Sequence, residues 1–202
     1  MERADYWDNV YQAKRPDAVS WYQRSPERSL AWARKLVVPS QRIIDIGGGA
    51  SGFVDALLGA EYERPCVLDV SASGLSHARA RLGARAALVD WIVADITKCP
   101  VLAPVALWHD RAVLHFLTEP TEQQAYANLA ADTILPGGHI VLATFAPDGP
   151  ERCSGLDVQR HDGASIAQLL GSKFELLEEE REFHVTPNGG EQRFAWIVAR
   201  RR

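Results

Sequence analysis

The run Ile43-Ile44-Asp45-Ile46-Gly47-Gly48-Gly49-Ala50-Ser51-Gly52 narrows the choice of folds more than any other feature of this chain. An apolar, β-branched stretch that stops on glycines and leads into a helical segment is a strand–turn–helix whose backbone can approach a ligand closely. The pattern then continues in kind. Strand-like runs at Gln41–Ile46, Cys66–Val70, Asp90–Ala94, Val105–Trp108 and Ile140–Phe145 alternate with helical runs at Ser51–Ala60, Ser71–Leu82 and Thr121–Ile134. Such alternation predicts an α/β fold with a parallel sheet joined by right-handed crossovers. After a helix near Gly163–Leu170 the character changes. Phe174–Thr186 and Gln192–Arg200 flank the turn residues Pro187-Asn188-Gly189-Gly190, so a hairpin ends a mostly parallel, seven-stranded sheet with an antiparallel strand at or near its edge.

The first 39 residues differ from the rest. Tyr6, Trp7, Tyr11, Trp21 and Tyr22 gather there, and helical pieces near Ala4–Gln12 and Pro26–Leu36 flank Arg15-Pro16. This segment reads as a cap over the sheet's C-terminal edge. The whole chain, 1–202, is expected to form one domain with a Rossmann-like core from residue 40 onward. A length of 202 residues, 47% of them hydrophobic and 24% charged, suits one packed core. A net charge of −4 argues against a nucleic-acid binder. Three cysteines without regular spacing make neither a disulfide framework nor a zinc site, so no metal is expected. No apolar run approaches a membrane span, and the polar start lacks a signal-like core. These features predict a cytoplasmic protein with reduced thiols.

Gly47, Gly49 and Gly52 satisfy G-x-G-x-x-G, and Asp69 follows about twenty residues later, as in nicotinamide-binding domains. Asp45 weighs against that reading, because a carboxylate two residues before the first glycine repels a pyrophosphate. It attracts a sulfonium ligand with a free ammonium group. Asp69 ends the second strand and can accept both hydroxyls of a ribose; Asp95 ends the third and can hold an adenine amino group. Three acids at successive strand ends match the three parts of S-adenosylmethionine.

With these residues in view, Asp45–Gly49 resembles motif I of the class I S-adenosylmethionine-dependent methyltransferases. Asp69 resembles their ribose-binding acid and Asp95 their adenine-binding acid. Leu135-Pro136-Gly137-Gly138 resembles the turn before their fifth strand, and the terminal hairpin is similar to theirs. The resemblance covers residues from about 40 to 202. It implies S-adenosylmethionine as cofactor, S-adenosylhomocysteine as product, and a cofactor site at Asp45, Gly47, Gly48, Gly49, Asp69, Val70, Asp95, Ile96 and His109. Tyr6-Trp7-Asp8 with Tyr11, then Ser20-Trp21-Tyr22, resembles the start of elongation-factor lysine methyltransferases, which implies that Trp7 and Trp21 help cover the cofactor. Where those enzymes carry a pattern like Asp-Lys-Gly-Thr after the fourth strand, this chain reads Trp108-His109-Asp110-Arg111.

The segment Val105–Phe116 carries His109, Asp110, Arg111 and His115, the candidate catalytic residues. A histidine there can take a proton from an acceptor, Asp110 can orient His109 or contact the methionine ammonium, and Arg111 can bind an anion. Tyr22, Arg111, His115, Arg152 and Cys153 are the expected acceptor contacts, the last two from the loop Phe145–Leu156. His139, His161 and His184 read as structural. The function expected is methyl transfer to a small molecule, a thiol or other soft nucleophile among the candidates. A protein-lysine methyltransferase and an NAD(P)-binding oxidoreductase are the alternatives; the sequence leaves oligomeric state open.

Overall fold

Where the chain alternates strand and helix, the computed structural model, which describes residues 2–202, builds one sheet of seven strands. Helices α1 (Arg3–Ala13) and α2 (Glu27–Leu36) precede strand β1 (Ile43–Ile46). Then come α3 (Phe53–Gly59), β2 (Cys66–Asp69), α4 (Ala72–Leu82), β3 (Asp90–Val93), β4 (Val105–Arg111), α5 (Pro120–Thr133) and β5 (Ile134–Phe145). A small hairpin of β6 (Arg152–Cys153) and β7 (Leu156–Asp157) follows, then α6 (Gly163–Leu170), β8 (Phe174–Val185) and β9 (Glu191–Arg201). The sheet order is β3-β2-β1-β4-β5-β9-β8. Pairing is parallel from β3 through β5, and β9 runs antiparallel to both β5 and β8. The expected antiparallel strand is therefore second from the edge, and the fold is a Rossmann-like, mostly parallel α/β sheet closed by a C-terminal hairpin.

Three expectations need correction. The fifth strand begins at Ile134 and not at Ile140, because Ile134 already pairs with Val105, so Leu135-Pro136-Gly137-Gly138 lies within β5 at a register irregularity and not before it. The fourth strand does not stop at Trp108. It runs to Arg111, because β1 pairs with it as far as Asp110 and β5 as far as Arg111. Two flanking ladders satisfy the backbone of the polar run His109-Asp110-Arg111, so charge alone does not end the strand. The Phe145–Leu156 segment is not wholly loop: Cys153 pairs with Leu156 and Arg152 with Asp157 across a tight turn. Strands of two residues are too short for periodicity to reveal.

Each face of the sheet has its own core. Trp108 and Tyr126 lie fully buried on the α5 side; Phe53 and Trp196 lie fully buried on the α2–α3 side. Burial of such side chains contributes about 1.5–3 kcal/mol each. Period-two alternation along β4 sends Trp108 and Asp110 to the first face and Leu107, His109 and Arg111 to the second. Among the described residues, no helix is long and apolar enough to cross a membrane, and no cluster of three His, Cys, Asp or Glu could hold a metal.

The N-terminal segment docks by polar contacts to the ends of the sheet elements. Asp8 accepts hydrogen bonds from Ser71 Oγ at 2.6 Å and Ser73 N at 2.9 Å. It thus sits at the N-terminus of α4, where a helix dipole favours an anion. Ser71 itself caps α4 by accepting from Gly74 N at 2.9 Å. Arg3 forks between Asp95 (2.9 Å) and Glu122 (2.8 Å), tying α1 to the end of β3 and to α5. The Tyr6 hydroxyl donates to Ser154 O in the β6–β7 turn.

Candidate active site

The glycine turn after β1 exists because backbone there must bend where no side chain fits. Gly47 has φ +66°, and a Cβ on it would lie 1.9 Å from Val113 Cγ2. That close approach lets Asp45, Asp69 and Asp95 stand in a row along the carboxyl ends of β1, β2 and the β3 turn, the edge where open α/β sheets bind ligands.

Asp45 is buried. His109 Nδ1 donates to its Oδ1 at 2.7 Å, while its Oδ2 is buried without a partner and points toward Gly48. A carboxylate only accepts, so Nδ1 carries the imidazole proton; in the neutral ring Nε2 then accepts from the Ser29 hydroxyl, 3.0 Å away on α2. Asp69 is buried and takes Ser71 N–H at 2.7 Å. Burial, with Asp45 and Asp8 adding to it, pushes its carboxyl up to about 7 against the backbone N–H groups of Ser71 and Gly49. Asp95 accepts from Arg3 Nη1 at 2.9 Å, Thr97 N at 2.9 Å and Thr97 Oγ1 at 2.7 Å. Against a burial cost, Thr97 and Arg3 hold it below the usual carboxylate range.

One pocket runs along this edge. At the β3 end it is lined by Asp95, Ile96 and Arg3, then by Asp69, Val70 and Gly47. At the β5–β9 end it is lined by Arg111, His115, Phe145, Cys153, Gln192 and Phe194. Trp7, Trp21 and Phe116 roof it: Trp7 meets Trp21 edge-on at 5.7 Å and Phe116 at 5.0 Å. A second cavity adjoins it through Tyr11, Trp21, Gly47 and Arg111, and holds Asp45, Gly48, His109, Ser29 and Tyr22. Gly49 lies under Tyr11, whose hydroxyl a Cβ there would meet at 2.3 Å.

The structure thus brings most of the expected residues to one edge, while several of those expected on the acceptor side have other partners. Asp110 is not in the pocket. Its side chain faces α5, where Val113 N (2.9 Å), Leu114 N (3.1 Å) and Tyr126 Oη (2.6 Å) donate to it, and burial pushes its carboxyl up to about 6. It anchors the turn that carries His115. Both nitrogens of His109 are engaged, so it positions Asp45 and has no free nitrogen to serve as a base. His115 Nδ1 accepts from Phe145 N at 3.3 Å, and burial, with His161 and Arg111, pulls its pKa down to about 3. His115 is therefore neutral at pH 7, with its proton on Nε2, which is buried and unpartnered. Arg152 is exposed and spends its guanidinium on Gly155 O and Asp157, because strand alternation turns it outward and Cys153 inward. Burial pushes the Cys153 thiol up, which keeps it protonated. Tyr22 lines the Asp45 cavity and not the one that holds Cys153. No local pattern marks Arg3, Ser29 or Gln192, which reach the site through contacts distant in sequence. Tyr11 stood out only as one aromatic among five.

No family model and no curated protein sequence matches this chain. Solved structures do. One, solved for the conversion of a disulfide bond into a thioacetal group during echinomycin biosynthesis, superposes with a TM-score of 0.79 at 17% identity, over 98% of this chain and 92% of that one. A SAM-dependent methyltransferase from Anabaena variabilis ATCC 29413 gives 0.78 at 17% identity, over 100% and 96%. The N-methyltransferase NodS from Bradyrhizobium japonicum WM9, in complex with S-adenosyl-L-homocysteine, gives 0.70 at 17% identity, over 96% and 99%. The strand order, the acids at the strand ends and these superpositions agree: the chain has the Rossmann-like fold of the class I S-adenosylmethionine-dependent methyltransferases.

Proposed function

We propose that this chain transfers a methyl group from S-adenosylmethionine to a small-molecule acceptor. The observation that carries the reading is Asp45, which keeps one buried carboxylate oxygen without a partner beside Gly48. An unpaired buried carboxylate oxygen is costly unless a ligand satisfies it. An ammonium group can donate to that oxygen and a pyrophosphate cannot, which counts against the nicotinamide alternative. Asp69 suits a pair of ribose hydroxyls, and Asp95 with Ile96 an adenine edge. Trp7 and Trp21 offer aromatic faces to a sulfonium. NodS, of the same fold, holds S-adenosyl-L-homocysteine.

When bound, S-adenosylmethionine supplies a methyl carbon to an acceptor's lone pair in line with the departing sulfur, which keeps the C–S electron pair and leaves as S-adenosylhomocysteine. The chain's own contribution is alignment and exclusion of water, which can supply several kcal/mol of the barrier. With Asp45, Asp69 and Asp95 given to the cofactor, the remaining candidate bases are spent: His109 is doubly engaged, His115 has its lone pair occupied, Asp110 faces α5. This supports an acceptor that is nucleophilic at neutral pH without help, a soft or anionic atom. The aromatic roof favours a small acceptor over the lysine of a folded protein.

Calorimetry with S-adenosylmethionine, S-adenosylhomocysteine, NAD and NADP tests the cofactor. The sulfonium ligand and its product are expected to bind and the dinucleotides not. A homocysteine-release assay over thiols, carboxylates, amines and peptides then tests the acceptor class.

A further inference from the structure

Arg111 holds more donors than its surroundings use. Its side chain is 8% exposed, and Nη1 donates to Trp21 O at 3.0 Å. Nε and Nη2 are buried and without a hydrogen bond. Glu182 Oε2 stands 4.0 Å from Nη2, near enough to offset charge but too far to accept; it takes the Trp196 indole N–H at 2.7 Å instead. The guanidinium plane is fixed against the Phe194 ring, 4.7 Å from its centroid. Nε and Nη2 form one edge of that plane, a fork that matches two oxygens of a planar anion. In the same pocket His115 Nε2 is a second unspent donor and Gln192 Oε1 an unspent acceptor, both buried. Three unsatisfied polar side chains on one apolar wall are a built subsite, since each costs free energy until a ligand pairs it.

We infer that the β5–β9 end of the pocket takes an acceptor molecule bearing a carboxylate, gripped by the Nε–Nη2 edge of Arg111, with His115 Nε2 as a further donor. This rests on the methyltransferase reading and names its substrate class. Charge selects a monoanion, because one guanidinium partly offset by Glu182 leaves too little positive charge for a phosphate dianion. Phe145, Phe194 and Phe116 supply an apolar wall for the body of the molecule. His184, on the neighbouring strand, donates to Ser20 O at 2.8 Å and is kept neutral by burial and by Arg111, so it does not compete.

The test is calorimetry on the protein saturated with S-adenosylhomocysteine, titrated with benzoate, phenylacetate and 3-phenylpropionate and with their primary amides. At least one acid is expected to bind at least about tenfold tighter than its amide, the value of one charged hydrogen bond. Arg111→Lys keeps the charge and loses the fork. It is expected to weaken that acid at least about tenfold and S-adenosylhomocysteine by clearly less, since toward the cofactor only the contact that holds Trp21 is disturbed. Equal binding of acid and amide overturns the inference, as does binding of neither. Loss of S-adenosylhomocysteine affinity in Arg111→Lys, with the acid unaffected, also overturns it, because the fork then serves the cofactor's own carboxylate. Should the variant not fold, the acid–amide comparison on the parent protein decides. Failure of the parent to bind S-adenosylhomocysteine overturns the methyltransferase reading before any acid is added, and the acid–amide preference is then read on the unloaded protein.

Discussion

His109 and Asp45 face each other across paired strands, and their 2.7 Å hydrogen bond uses one oxygen of the carboxylate and leaves the other buried and free. Ser29 holds the far side of the imidazole, so the free oxygen is aimed by a chain of three residues from α2, β4 and β1. Asp45→Asn keeps the shape and an acceptor for His109 but removes the charge. S-adenosylhomocysteine affinity is expected to fall by about tenfold to a hundredfold, the value of a charged hydrogen bond of about 1.5–3 kcal/mol. Calorimetry measures it. Unchanged affinity would remove Asp45 from the ammonium site.

Asp69 predicts a pH dependence. Its carboxyl, pushed up to about 7 by burial, must be ionised to accept from ribose hydroxyls, and those donors lower its pKa in the complex. Binding therefore releases a proton, and affinity climbs with pH up to about 7 before levelling. In the free protein the sign is opposite. The folded state holds this proton more tightly than the unfolded chain, whose pKa is about 4, so ionising Asp69 costs stability as pH rises from about 4 to about 7. Titrations in buffers of different ionisation enthalpy read the released proton. A flat affinity between pH 5.5 and 7.5 would contradict the ribose role; these two limits bracket roughly the upper flank of the titration.

Arg3 ties the cap to the sheet, and its ion pairs with Asp95 and Glu122 are partly exposed, so solvent screens them. Arg3→Ala is expected to cost only about 1 kcal/mol, a drop of about 2–4 °C in Tm for a chain of this size. Because α1 also carries Trp7 and Tyr11, affinity for S-adenosylhomocysteine should fall severalfold as the roof loosens. Thermal unfolding with and without ligand separates the two effects.

Asp110 should behave as a structural acid. Asp110→Ala leaves Tyr126 Oη, Val113 N and Leu114 N without their acceptor in a buried site. The expected loss is about 3 kcal/mol or more, and Asp110→Asn should recover part of it by accepting at one oxygen. Denaturant unfolding checks the order of the three proteins. Full stability in Asp110→Ala, with loss of turnover, would return Asp110 to the catalytic set.

The alternation of strand and helix, the glycine turn and the acids at the strand ends were legible in the chain itself. They follow from local rules: an apolar run pairs, glycines turn, and a strand end at a crossover meets solvent or ligand. Those rules place Asp45, Asp69 and Asp95 on one edge without any knowledge of packing. Period-two alternation also implies that His109 and Asp110 face opposite ways, but not which helix each will meet. That was decided by tertiary contacts: Ser29 of α2 takes up the free nitrogen of His109, and Tyr126 of α5 claims Asp110. The same contacts closed Phe145 N–H onto His115 and left the Arg111 fork unspent. A residue's type and spacing state what its side chain can do, whereas its role depends on which partners have already used its donors and lone pairs, and those partners arrive from tens of residues away.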